Sequence, residues 1–233
     1  MDIKGRNLKY EAPRAKARGF SNEILERMLK YKRILITAGP TWVPIDSVRV
    51  ISNVATGKTG SLLAAQLQKL GAEVTLALGP VEAASVSKNI RLIRFRFFDE
   101  LKNIIYQELK EKKYDMVIHS AAVSDYRMKK TYGRKISSDF KKLSLNLIPT
   151  PKILKLIKKV SKASVVVAFK FAPQASKQKL IAESKKLLRQ RVCDLVVANT
   201  IKNGRYSAYI VSDNVRGPVQ RKEKLARELL LSL

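Results

Sequence analysis

The chain has 233 residues, 45% of them hydrophobic, which suffices to bury a full core without disulfide or metal staples and excludes global disorder. Lys and Arg number 47 against 19 Asp and Glu, a formal charge of +28, and the lone Cys193 excludes an intramolecular disulfide and any CxxC metal or redox site. No uninterrupted apolar run approaches the roughly 20 residues of a spanning helix, and MDIKGRNLKYEAPRAK lacks the apolar core of a secretory signal, so a cytoplasmic protein with no membrane partner is expected.

In chain order, residues 1–32 read as an N-terminal leader, partly helical because Ile24, Leu25, Met28 and Leu29 fall on one face of a short amphipathic helix. A single domain is expected over 33–233. It opens with a βαβ pattern: the strand RILITA, a loop, the helix KTGSLLAAQLQKLG closed by Gly71 as a C-cap, and the strand AEVTLALGP. Further strands are predicted at 90–95 (IRLIRF), 115–121 (DMVIHSA), 143–148 (LSLNLI), 164–169 (SVVVAF), 194–200 (DLVVANT) and 208–212 (AYIVS). Helices are predicted at 99–112, 151–160, 174–191 and 219–231. Continuous β-branched runs separated by helices imply an α/β fold, doubly wound and Rossmann-like, with a largely parallel sheet covered by helices on both faces. Residues 126–142 are too long and too polar for an ordinary connection and read as an extended loop or arm: a flap, a substrate loop or a dimer contact.

The positive charge is global rather than a basic tail, since the first 32 residues hold nine basic and four acidic residues. Within it, residues 126–162 carry twelve basic residues against one acid, Asp139. That density suits small phosphorylated substrates or a polynucleotide, and much of the lysine excess also reads as solvated helix faces.

In open parallel sheets the ligand crevice lies beyond the carboxyl ends of the strands, so the residues after each apolar run carry the chemistry. After the first strand, Gly57, Lys58 and Gly60 fall at a helix start, where backbone amides and the helix dipole favour an anion. A P-loop would need glycine where Ser52 stands, and the GxGxxG spacing is absent. In AAVSDYR, the small Ala121 and Ala122 let a ligand approach the backbone, while Asp125 suits a magnesium ion, a ribose hydroxyl or simply a turn. The single histidine, His119, reads as a satisfied strand residue and cannot make a metal site alone. Lys135, in GRKIS, is a cation able to reach a phosphate; Phe169 and Asn199 each end an apolar strand, and Phe169 suits the core as well as base stacking.

Taken together and in this order, the segments resemble the phosphopantothenate cysteine ligase (phosphopantothenoylcysteine synthetase) family from about Arg33 to the C-terminus. ITAGPTWVPIDSVRVISNVATGKTG and GAEVTLALGP are similar to the family's ITAGPT, I/LDPVR, ISN, SSGKMG and GAEVTLVSGP; AAVSDYR, PTPKIL, VVAFKF and DLVVANT are similar to AAVADYR, NPDIL, VVGFAAE and DLIVAN. The resemblance implies a ligase that activates 4′-phosphopantothenate with a nucleoside triphosphate, CTP with ATP as the alternative, in the presence of Mg2+. Pyrophosphate leaves an acyl-nucleotide (acyl-CMP for CTP), which the cysteine amine then attacks to give 4′-phosphopantothenoylcysteine in coenzyme A biosynthesis. It also implies a homodimer completed by the 126–142 arm, and a separate flavin-dependent decarboxylase as the next pathway enzyme.

By position, the resemblance implies catalytic roles for Asn53, at the acyl-nucleotide, and Lys135, at the α-phosphate. It implies nucleotide contacts at Gly57, Lys58, Ala121, Asp125, Lys135, Pro151, Lys152, Ile153, Leu154, Phe169, Lys186 and Arg191. Arg49, Asn53 and Ala122 fall to the phosphopantothenate side, and Asp125 to a metal. Two departures stand out: Ala55 replaces a serine hydroxyl of SSGKMG, and AFKFA places Lys170 where the bacterial form has a small residue, a pattern nearer the ATP-using SFK branch. The first of the family's two helix lysines falls at Leu187, or at Lys186 with one residue inserted. Two further readings are a Rossmann-type nicotinamide-dependent oxidoreductase, opposed by the missing GxGxxG, and a non-catalytic basic nucleic-acid-binding protein, supported by charge alone.

Overall fold

Strands rich in Val, Ile and Leu on both sides of the pleat are stable only where a sheet is covered on both faces. The computed structural model describes residues 21–82 and 86–233. The first twenty residues of the expected leader thus lie outside the described residues. In chain order the elements are α1 (Asn22–Leu29), β1 (Arg33–Ala38), β2 (Trp42–Pro44), β3 (Val50–Ser52), α2 (Lys58–Lys69), β4 (Glu73–Leu78), β5 (Arg91–Arg94), α3 (Phe98–Glu111), β6 (Met116–His119), β7 (Tyr126–Met128), β8 (Leu147–Pro149), α4 (Ile153–Val160), β9 (Val165–Phe171), α5 (Lys177–Arg189), β10 (Leu195–Lys202), β11 (Arg205–Val211), β12 (Val215–Val219), a 3-10 turn (Lys222–Lys224) and α6 (Leu225–Leu230).

Eight strands form one sheet in the order β12-β11-β10-β9-β6-β1-β4-β5. From β10 to β5 all neighbours are parallel, and β11 and β12 add an antiparallel edge. The alternation along β1 divides the core: Ile34 and Ile36 pack under α1, α2 and α6 with Leu25, Leu63, Leu67 and Leu229, whereas Leu35 faces Leu101 and Ile105 of α3 and Ile157 of α4. On that second face, α5 lays Leu180 on Ala198 and Val211. The result is the doubly wound α/β architecture expected from the strand and helix periods. Among the described residues no helix is long and apolar enough to cross a membrane.

Three element predictions need correction. LSLNLI does not join the main sheet; only Leu147–Pro149 is extended, paired antiparallel with Tyr126–Met128 in a separate two-stranded ribbon. Its alternating polar residues suit a one-sided ribbon, and the slot beside β6 is taken by β9, whose buried Val166, Val167 and Ala168 meet apolar neighbours on both faces. The strand expected at 208–212 begins at Arg205, because Asn203 (φ +49°) and Gly204 (φ +73°) make the tight turn of a hairpin with β10. The helix expected at 219–231 shrinks to Leu225–Leu230, the residues before it forming the end of β12 and a 3-10 turn.

Candidate functional site

The strand order reverses between β1 and β6: the chain leaves β1 for β4 and β5 on one side and returns through α3 to β6 on the other. The loops that diverge there leave a crevice at the carboxyl edge. Its floor is pinned by hydrogen bonds from the Ala122 amide to the Gly39 carbonyl (2.9 Å), from Ser120 Oγ to the Thr37 carbonyl (2.7 Å) and from the Ser124 amide to Thr41 Oγ1 (2.9 Å). Thr150 Oγ1 donates to the Ser124 carbonyl at 2.7 Å, tying the start of the α4 segment to the same loop.

On one side of the crevice, α2 begins at Lys58 behind Gly57, whose backbone is left-handed (φ +67°). A Cβ on Gly57 would stand 3.1 Å from Leu78 Cδ1 and 3.4 Å from the Gly39 nitrogen, so glycine is what lets the helix start rest against the strand ends. The first turn of α2 holds no acidic residue, and its amides with the exposed Lys58 form an anion-favouring corner. Asn53 lies in the loop just before it and donates from Nδ2 to the Ala122 carbonyl at 2.9 Å. Two residues expected on the phosphopantothenate side are thereby in direct contact.

On the other side, a cleft of about 340 Å3 is lined by His119, Ala121, Val123, Asp125, Thr150, Pro151, Lys152, Ile153, Leu154, Lys155, Phe169, Leu187, Gln190 and Val192. Seven of the predicted nucleotide contacts, drawn from three separate segments, meet there. Lys186 and Arg191 do not line it; both are exposed, and α5 and its C-terminal turn present Leu187 and Gln190 instead. Asp125 is two-thirds exposed at the mouth, where Lys152 Nζ lies 2.5 Å from its Oδ1. Among the described residues no three His, Cys, Asp or Glu side chains cluster as a metal cage. Asp125 is the one carboxylate among the cleft's lining residues, so any metal there would need its other oxygens from substrate.

His119 is buried at the end of β6, with Nδ1 2.8 Å from Thr37 Oγ1, and burial pushes its imidazole down to about 4. Phe169 lines the cleft while also packing on the core beneath α2. Lys170, the departure next to it, pairs with Glu183 of α5 at 3.3 Å. Asn199 lies within β10, and among the described residues its buried Oδ1 meets no hydrogen-bond partner, nor does the Tyr206 hydroxyl. A larger cavity of about 820 Å3 opens at the opposite, amino edge of the sheet and includes none of the predicted site residues, so the smaller cleft is the better candidate.

Lys135 is exposed on the arm, but the arm is not free. The Tyr132 amide donates to the Ile45 carbonyl (3.0 Å), the Ile136 amide to Asp46 Oδ2 (3.1 Å), and Arg49 Nη2 to the Ile136 carbonyl (3.1 Å). Burial opposes the charge of Asp46, yet the Ile136, Val48 and Arg49 amides and the Arg49 guanidinium outweigh it and hold the acid below the ordinary carboxylate range. Asp46 was not among the predicted site residues. Its signal was present in IDSVR, where an aspartate two and three residues before the amides it accepts makes an Asx turn.

Residues 29–233 match the family described as DNA/pantothenate metabolism flavoprotein C-terminal domain. The chain is 40% identical over 176 residues to the coenzyme A biosynthesis bifunctional protein CoaBC of Thermococcus kodakarensis, a match covering 76% of this chain and 43% of that protein. Among solved structures it resembles the DNA/pantothenate metabolism flavoprotein of Streptococcus pneumoniae (28% identity, TM-score 0.78, 86% of this chain and 97% of the other). It also resembles the C-terminal domain of a coenzyme A biosynthesis bifunctional protein CoaBC (28% identity, TM-score 0.71, 91% and 96%). The chain spans about half the length of the curated relatives it matches.

Proposed function

Because the chain belongs to the family of DNA/pantothenate metabolism flavoprotein C-terminal domains, we propose that it is the ligase that joins 4′-phosphopantothenate to cysteine in coenzyme A biosynthesis. In the first step the pantothenate carboxylate attacks the α-phosphorus of a nucleoside triphosphate and pyrophosphate leaves. In the second, the cysteine amine attacks the acyl carbon, the nucleoside monophosphate leaves, and the amine proton is lost to solvent. Both steps concentrate negative charge on phosphate and carbonyl oxygens, so fixed cations and amide donors are what the chemistry demands.

The observation that carries this reading is the convergence of Ala121, Asp125, Pro151 to Leu154 and Phe169 on one cleft, with Asn53 bonded to Ala122 at its neighbouring crevice. In this assignment the cleft takes the nucleoside, and the α2 start takes phosphate oxygens at Gly57 and Lys58. Asn53 donates to the developing oxyanion, and Lys135 neutralises charge at the α-phosphate. Arg49 pairs with the phosphopantothenate anion. Asp125 is the residue that would hold magnesium, which supplies charge neutralisation on the triphosphate when bound. CTP is the proposed nucleotide. Lys170 is the feature that points toward ATP, and its pairing with Glu183 away from the cleft weakens that pointer. A homodimer is proposed because Val48, Val50, Ile51 and Val54 stand exposed along the hairpin and its exit, and Phe140 on the arm.

The test is pyrophosphate release by purified protein with phosphopantothenate and magnesium, comparing CTP with ATP, with and without cysteine. Release that requires phosphopantothenate, and amide product only when cysteine is present, is the expected result; no release with either nucleotide refutes the proposal. Lys135→Gln, at an exposed position, should lower turnover by roughly 100-fold or more while leaving the thermal midpoint unchanged.

A further inference from the structure

The arm between the β7–β8 pair has one anchor. From 129 to 144 every residue is exposed except Ile136, and all three of its described backbone attachments beyond the ribbon go to residues 45–49, the turn joining β2 to β3. At the centre is Asp46, whose side chain is fully buried although it lies on a hairpin tip. Its two oxygens have different work. Oδ1 accepts from the Val48 and Arg49 amides (2.8 and 2.7 Å), which folds the hairpin turn. Oδ2 accepts from the Ile136 amide (3.1 Å) and faces Arg49 Nη1 (3.3 Å), and the same guanidinium reaches the Ile136 carbonyl. A turn-forming aspartate needs only the first set; the second ties two distant segments together.

We propose that Asp46 is a positioning residue that clasps Arg49 and the Lys135 arm together, so that the guanidinium assigned to phosphopantothenate and the ammonium assigned to the α-phosphate are held as one unit. The roles of Arg49 and Lys135 rest on the proposed function; the clasp rests on the hydrogen bonds. Lys135 directly precedes the clasped Ile136, so fixing the Ile136 amide fixes the backbone from which the lysine extends. Displacement by about 1 Å at such a group costs as much as 100-fold in rate.

The chemistry of the two oxygens supplies a discriminating variant. Asp46→Asn with its carbonyl oxygen in the Oδ1 place keeps the turn, but its amide nitrogen then confronts two donors, the Ile136 N–H and Arg49, and the arm is released. Asp46→Ala loses both sets. In Asp46→Asn the Ile136 and Tyr132 amides should exchange with deuterium faster by roughly tenfold or more, with Val48 and Arg49 still protected. Its kcat should fall roughly 10- to 100-fold and its KM for phosphopantothenate should rise, with KM for cysteine unchanged. Asp46→Ala should deprotect all four amides. Wild-type protection at Ile136 in Asp46→Asn would overturn the clasp, whatever the rate; fast exchange at Ile136 with wild-type kcat and KM would overturn its positioning role. Absence of turnover in the wild-type protein would overturn the functional reading alone, because the exchange pattern reports the clasp independently.

Discussion

Lowering the pH from 7 to 4 should destabilise the protein through His119. Nδ1 of the buried ring lies 2.8 Å from Thr37 Oγ1, which also accepts from the Ala121 amide at 3.4 Å. Protonation would place a desolvated positive charge inside the β1–β6 core. The folded value of about 4 lies below the ordinary 6.5, so between those limits the unfolded chain binds more protons than the folded one and stability rises with pH. The contribution is fully present above pH 6.5 and lost as the pH falls toward 4; at about 1.4 kcal/mol per unit it amounts to about 3 kcal/mol, a large share of the roughly 5–15 kcal/mol available to a domain. Urea unfolding followed by Trp42 fluorescence at both pH values, for wild type and for His119→Asn, isolates it. Asn lacks the titration, its packing defect is the same at both pH values, and the lowered carboxylates Asp46, Glu108 and Asp115 titrate in both proteins. Wild type should lose about 3 kcal/mol more than the variant; equal losses would refute the argument that the imidazole is held neutral by burial.

Gly60→Ala places a Cβ 2.5 Å from Ala38 Cβ and 2.6 Å from Ser120 Oγ, so α2 must move off the strand ends at a cost of about 1–3 kcal/mol. A thermal midpoint within a degree of wild type would show that the helix start is not seated as described. Asn53→Asp exchanges the donor to the Ala122 carbonyl for a carboxylate facing that oxygen; formation of the acyl-nucleotide, measured by rapid quench without cysteine, should slow by roughly 10- to 100-fold at little cost in stability. Wild-type rates would remove Asn53 from the site.

Much of the fold was legible because its signals are local. RILITA, the GKTG helix start and VVVAF carry period, cap and burial in a few residues, and all became elements at or near their predicted bounds. The hairpin of β2 and β3 was not legible: three-residue strands such as VIS, exposed along their length, have no face whose burial would pattern the sequence. Asn203–Gly204 carries the composition of a tight turn, while the AYIVS pattern by itself begins only at residue 208. Residues following the strands come together at one edge because the sheet topology dictates where their loops meet. Lys186 and Arg191 lie exposed outside the cleft lining, whereas Leu187, the alternative position for the first helix lysine without an insertion, lines it. The clasp at Asp46 joins positions 90 apart, and no local pattern contains such a pairing.

The same geometry gives the charge a place in the chemistry. Of the twelve basic residues in 126–162, Lys152 and Lys158 have carboxylates within ion-pair distance among the described residues, at Asp125 and Asp194. That stretch includes the arm, the β7–β8 ribbon and α4, and its residues from Thr150 to Lys155 line the cleft. Ion pairing would make these cations structural and nearly neutral toward a ligand; exposure leaves their field available to whatever enters. On the proposed reaction a triphosphate and a phosphorylated acid must occupy adjoining spaces, and their mutual repulsion opposes binding unless surrounding cations offset it. A locally uncompensated basic rim serves that requirement without placing a buried charge in the fold, since exposed lysines stay hydrated until the substrate arrives. Outside 126–162, Lys58 at the start of α2 and Arg49 on the β2–β3 turn are the cations that the proposed reaction sets beside the same substrates.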